Sequence, residues 1–189
     1  MKQLLLALDQ THSRGVFHRD IKPSNIMVDI SNMNIKIIDW GLAEFYLPGK
    51  EYNVRVASRP FKPVEILSNC KKYGYSFDIW SAGCIFAGLI FRKDYMFPAK
   101  DNAETMLKII KTLGSEKYFD YISKYELRPD HELMSRIIRT ERKSWHHFID
   151  TENGDLQCEK AYGLLDRMLV YDPEERLTAK EALEHNFFN

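Results

Sequence analysis

The octet His18-Arg19-Asp20-Ile21-Lys22-Pro23-Ser24-Asn25 constrains this chain more tightly than any other stretch. Six fixed residue types in register have odds of about 10⁻⁵ of arising by accident anywhere in a chain of this size. The octet lies between a predicted helix and a predicted strand. Leu4, Leu5, Leu8 and Thr11 recur at helical spacing, and Gly15 stands just past them, where a C-terminal cap belongs. The helix is expected to be under way at Met1. Two alternating runs follow, Asn25 to Ile30 and Asn34 to Ile38, separated by Ser31, Asn32 and Met33, which is a hairpin signal. Asp39-Trp40-Gly41 closes the second run, fourteen residues after Asn25.

Residues 41 to 65 show neither the helical nor the strand period, and from Phe77 onward the pattern is helical. The apolar run Ile79 to Phe91 falls short of the roughly 18 to 20 residues a membrane span needs, and predicts a buried helix. Asp101 with Glu104 opens a further helix as a capping box that Gly114 closes, and Thr178 with Glu181 repeats that spacing before the last helix. Between Gly114 and Cys158 no period emerges. With 189 residues the chain suffices for one buried domain. Lys+Arg and Asp+Glu number 27 each, so net charge points to neither a nucleic-acid nor a membrane partner. Cys70, Cys84 and Cys158 are odd in number and far apart, which fits neither a disulfide framework nor a zinc site and predicts a reducing compartment, cytoplasm and nucleus. Leu4 to Leu8 is too short for the core of a signal peptide.

The octet resembles the catalytic loop of protein kinases, and Asp39-Trp40-Gly41 resembles their metal-binding triplet in order and spacing. The resemblance implies a mainly α fold over residues 1–189, the large C-terminal kinase lobe with a small β-hairpin at the catalytic cleft, and an activation segment at 39–65. Phosphoryl transfer demands in-line positioning and cations to neutralise the phosphoryl oxygens. By the resemblance, Asp20 orients or accepts the substrate hydroxyl proton, Lys22 steadies the phosphate, and Asn25 with Asp39 hold Mg²⁺. His18 is expected to be packed and structural, and Arg19 to brace the loop. Glu65 is expected to pair with Arg176, and Asp78 to anchor the loop from the buried helix.

The stretch IDWGLAEFYLPGKEYNVRVASR, from Ile38 to Arg59, followed by Phe61 and Lys62, resembles the casein kinase II alpha subunit family nearly residue for residue. Trp40 in place of phenylalanine is its sharpest marker. That resemblance implies a serine/threonine kinase acting on acidic protein substrates with ATP, and GTP as a further donor, alongside a regulatory beta subunit. Arg55, Arg59 and Lys62 alternate with apolar or small residues, so three cations can face a carboxylate or phosphate beside the target hydroxyl. Between Trp40 and Val64 the only hydroxyl residues are Tyr46, Tyr52 and Ser58, which argues against switching by phosphorylation there. Ser24 stands where the family carries a histidine, and Pro60, Pro63 and Val64 also depart from its pattern. Pro60 and Pro63 are expected to push Arg59 and Lys62 toward extended backbone. No two of the nine glycines stand two apart, so no G-x-G phosphate lid occurs. The resemblance therefore implies that the N-terminal lobe is absent and that the chain alone is inactive. Met27 and Ile38 would form the floor of the adenine pocket. The alternative is a non-catalytic binding module or decoy for acidic partners.

Overall fold

Apolar spacing at the start of the chain winds α1 (Lys2–His12), which buries Leu4, Leu5 and Leu8. The computed structural model describes Met1–Asn189. Helix α1 is capped at Ser13, two residues short of Gly15. Gly15, at φ +80°, instead makes the turn into β1 (Val16–Phe17), a conformation a side chain would oppose. Next come β2 (Ile26–Asp29) and β3 (Asn34–Ile37), paired antiparallel with Ile26 opposite Ile37 and Asp29 opposite Asn34. This is the expected hairpin, although both strands are mostly exposed.

A second ribbon has no counterpart in the sequence expectations: β1 pairs antiparallel with β4 (Glu44–Phe45), Val16 opposite Phe45 and Phe17 opposite Glu44. It seats Phe17 among Tyr52, Tyr73 and Tyr75, whose rings meet it edge-on at 5.2 to 6.2 Å. These residues belong to a small core separate from the main one.

Helices α2 (Val64–Leu67), α3 (Ser76–Ile90), α4 (Asn102–Leu113), α5 (Glu116–Lys124), α6 (His131–Arg136), α7 (Glu159–Met168) and α8 (Ala179–Leu183) complete the chain. Helix α3 is buried on nearly all sides, as its unbroken apolar run requires, and packs on α7. α1 lies against α8. No helix is long and apolar enough to cross a membrane. The cap of α4 differs from the expected box: Asp101 accepts from Glu104 N, but the Glu104 carboxylate returns to Lys100 N at 2.9 Å, one residue earlier. At α8 the reciprocal Thr178–Glu181 box is complete. Arg59 is also not extended. Phe61 N donates to Ser58 O at 3.0 Å and Lys62 N to Arg59 O at 3.3 Å, which winds Arg59–Phe61 into a 3-10 turn. Pro60 sits inside that turn, where its missing N–H is not needed, and Lys62 alone is extended.

Candidate functional site

The loop 18–25 is held from below by one aspartate in the first turn of α3. Asp78, fully buried, accepts from His18 N at 2.8 Å and Arg19 N at 2.9 Å, and His12 of α1 meets it at 2.9 Å. His18 is also fully buried. Its Nε2 donates to Ile38 O at 3.1 Å and its Nδ1 accepts from Asp20 N at 3.2 Å, which fixes the ring proton on Nε2. Both contacts are structural. Arg19 donates through Nε to Leu42 O at 2.6 Å and through Nη1 to Tyr73 at 3.3 Å, and so ties the loop to the segment after Asp39.

On this platform the Asp20 carboxylate, 7% exposed, gathers four donors. Lys22 Nζ reaches Oδ2 at 2.7 Å and Asn25 Nδ2 reaches it at 3.2 Å, while Ser58 N and Ser58 Oγ both reach Oδ1 at 3.0 Å. Lys22 also donates to Ser58 Oγ at 3.0 Å, closing a ring of three side chains. Ser58 was not among the expected site residues. Its contact spans 38 positions of sequence, and no local pattern announces it.

The hairpin sets the second half. Ile38 N donates to Asn25 O at 2.9 Å, which places Asp39 one residue beyond the end of that register and next to Asn25. Three left-handed backbones cluster here, Arg19 (φ 65°), Asp39 (φ 61°) and Ala57 (φ 64°). Each costs about 1–3 kcal/mol, strain of the kind that collects where side chains must be aimed. Asn25 spends its amide hydrogens on Asp20, through O at 2.9 Å and Oδ2, leaving Oδ1 as its open atom. Asp39 is exposed and accepts only a long bond from Gly41 N at 3.4 Å. Hard oxygens with spare lone pairs on these two residues are the donor type that suits Mg²⁺, which keeps several waters and takes few protein ligands.

Met27 and Ile38 stand 56% and 38% exposed, and the register of the hairpin puts both on one of its faces. A flat purine could lie there. Of the basic residues, Arg59 and Lys62 are neighbours: burial first, and the Arg59 charge second, hold the Lys62 ammonium below the usual lysine range. Arg55 is exposed on a turn where Asn53 Oδ1 accepts its N–H at 2.8 Å. A concavity of about 1210 Å³ lies elsewhere, between residues 46–51, 69–76 and the C-terminal turns. None of Asp20, Lys22, Asn25 or Asp39 lines it. The site is a ledge.

Glu65 and Arg176, both fully buried, pair through two bonds of 3.0 Å, binding the end of segment 39–65 to the helical core. The sequence of residues 1–188 matches the family described as the protein kinase domain. The chain is 50% identical over 186 residues to a probable serine/threonine-protein kinase of Dictyostelium discoideum, a match covering 98% of this chain and 31% of that protein. The chain thus spans about a third of that relative's length. With an ammonium, an amide and a hydroxyl arranged around the Asp20 carboxylate, Asp39 at the end of the neighbouring hairpin, and a match along nearly its whole length, the chain belongs to the protein kinase domain family.

Proposed function

We propose that this chain is the large lobe of a serine/threonine protein kinase of casein kinase II alpha type, which transfers the γ-phosphate of ATP to Ser or Thr in acidic contexts. The carrying observation is the Asp20 carboxylate, held by Lys22, Asn25 and Ser58 beside Asp39. With all four acceptor positions of Asp20 in use, an arriving alcohol must displace one donor. The longest bond, from Asn25 at 3.2 Å, is the one most readily given up. Asp20 then orients the hydroxyl and takes its proton, and Lys22 stays within reach of both that carboxylate and the incoming phosphoryl oxygens. Asn25 Oδ1 and Asp39 would hold Mg²⁺, which when bound neutralises charge on the phosphates. Met27 and Ile38 would lie beneath the adenine, with a second lobe above them. The family resemblance of residues 38–62 and the neighbouring cations Arg59 and Lys62 support acidic specificity. Segment 39–65 serves as the activation segment, a regulatory beta subunit as partner, and cytoplasm and nucleus as the setting.

The test is Mg²⁺-dependent transfer from ATP to a serine peptide with acidic residues after the hydroxyl, measured on the full-length protein. Asp20→Asn should lower kcat by about 10²- to 10⁴-fold, the usual range for a lost general base. Asp39→Ala should abolish Mg²⁺-dependent transfer with the circular dichroism spectrum unchanged. The 189 residues alone should fall far below the roughly 1–100 s⁻¹ of ordinary kinases. Undiminished turnover in either variant would overturn the assignment of that residue, and no transfer by the full-length protein would overturn the function.

A further inference from the structure

The loop joining α3 to α4 presents an unpaired cation beside the basic cluster. Its backbone is tied on every side. The Lys108 ammonium donates to Pro98 O, Arg59 Nη1 reaches Ala99 O at 3.5 Å, and Lys100 N donates to Glu104 Oε2 at 2.9 Å. Asp101 Oδ1 accepts from Glu104 N at 2.7 Å. The carboxylates of this patch are thereby committed, Asp101 to the cap of α4 and Glu104 to Lys108 at 3.1 Å. The Lys100 side chain is exposed and forms no ion pair, although its charge helps hold the Glu104 carboxyl low after the Lys100 N–H and the Lys108 bond.

Arg59 leans toward this loop with a single long bond, which leaves most of its five donors open. Arg59, Lys100 and Lys108 thus gather around a loop with two carboxylates, Asp101 and Glu104, and Lys62 stands beside Arg59, a surplus of positive charge on a fixed backbone. Such a surplus draws an anion, and the fixed backbone confines the ordering cost of binding to the side chains.

We infer that Lys100 is a specificity-determining residue: with Arg59 it forms a second cationic subsite for an anionic side chain of the substrate, carboxylate or phosphate, beyond the one met by Lys62. This rests on the acidic-substrate reading above and extends it to a loop outside segment 39–65. An extended substrate advances about 3.3 Å per residue with side chains alternating in direction, so the subsite should read one position and ignore its immediate neighbours.

The experiment measures binding of labelled peptides to the full-length protein by fluorescence anisotropy. One peptide carries serine followed by five glutamates, a set replaces each glutamate singly by glutamine, and another replaces each by phosphoserine. Wild type should weaken at two positions on Glu→Gln. Lys100→Gln should erase the more distal penalty only, a change of about twofold to fivefold, and Lys100→Arg should restore it. Phosphoserine at that position should bind wild type at least as tightly as glutamate and lose its advantage in Lys100→Gln, and the ratio of the two names the preferred anion. If wild type discriminates but Lys100→Gln discriminates identically at every position, the Lys100 subsite is overturned while acidic recognition stands. If wild type is indifferent to every replacement, acidic recognition falls and the subsite falls with it.

Discussion

Asp20, Asp78 and Asp172 are all largely covered, and the donors around each decide its role. Asp78 is filled by two backbone amides and a histidine, groups that belong to packed elements, and so it behaves as a fixed peg. Asp20 is filled mainly by side chains, which can exchange for a ligand. Asp172 is tuned by charge. Burial pushes its carboxyl up, but the Lys124 ammonium at 2.6 Å, the Tyr125 hydroxyl and Glu174 N outweigh burial and hold it below the usual carboxylate range. Because the folded chain releases this proton more readily than the unfolded one, the contribution is present above about pH 4 and is lost as pH falls through the folded value. Asp172→Asn should therefore flatten the pH dependence of the urea midpoint between pH 6 and 3. Equal slopes in variant and wild type would remove Asp172 from the acid response.

At the scale of elements, α3 organises the molecule. Its first turn carries Asp78, Ser81 Oγ donates to Phe61 O at 2.9 Å beneath the Arg59–Phe61 turn, and Gly83 admits α7. A Cβ at Gly83 would lie 2.9 Å from Leu169 Cδ2, a methyl that can swing aside, and 3.1 Å from Met168 Cβ, which moves only if α7 gives by a few tenths of an ångström. Gly83→Ala should cost about 1–3 kcal/mol in chemical denaturation. Gly154→Ala, whose nearest neighbour is Gln157 Nε2 at 3.8 Å, should cost far less. Equal costs would show that the α3–α7 approach is not tight. Helix α3 was legible from its apolar run, and the hairpin from alternation around Ser31 and Asn32. Ribbon β1–β4 was not, since two-residue strands carry no period and their register joins residues 16 and 45. α5 went unread although Tyr118, Tyr121, Ile122 and Tyr125 keep helical spacing, because aromatic side chains are indifferent helix formers and hide the pattern. In the site, Asp20, Lys22, Asn25 and Asp39 lie in two short motifs and announce themselves. Ser58 arrives through the left-handed Ala57 and a distant contact, for which no sequence signal exists.

The whole molecule is closed by the Glu65–Arg176 clamp. Arg176 also donates to Ser76 O at 2.7 Å and to Val170 O at 3.0 Å, and its guanidinium stands 5.0 Å from the Trp80 ring centroid. Removing it would strand a fully buried carboxylate, so Arg176→Ala should lose about 3–5 kcal/mol, against about 1 or less for an exposed pair. A denaturation free energy within about 0.5 kcal/mol of wild type would show the clamp to be idle. The partners are 111 residues apart in sequence. During synthesis at about 5–20 residues per second, the glutamate leaves the ribosome roughly 6 to 22 s before the arginine that will hold it. Until then its charge stays hydrated, and the end of segment 39–65 is held only by earlier contacts such as that of Ser81 Oγ with Phe61 O. A ribosome that stalls before residue 176 thus releases a chain whose segment 39–65 keeps those contacts but ends on a carboxylate without its clamp.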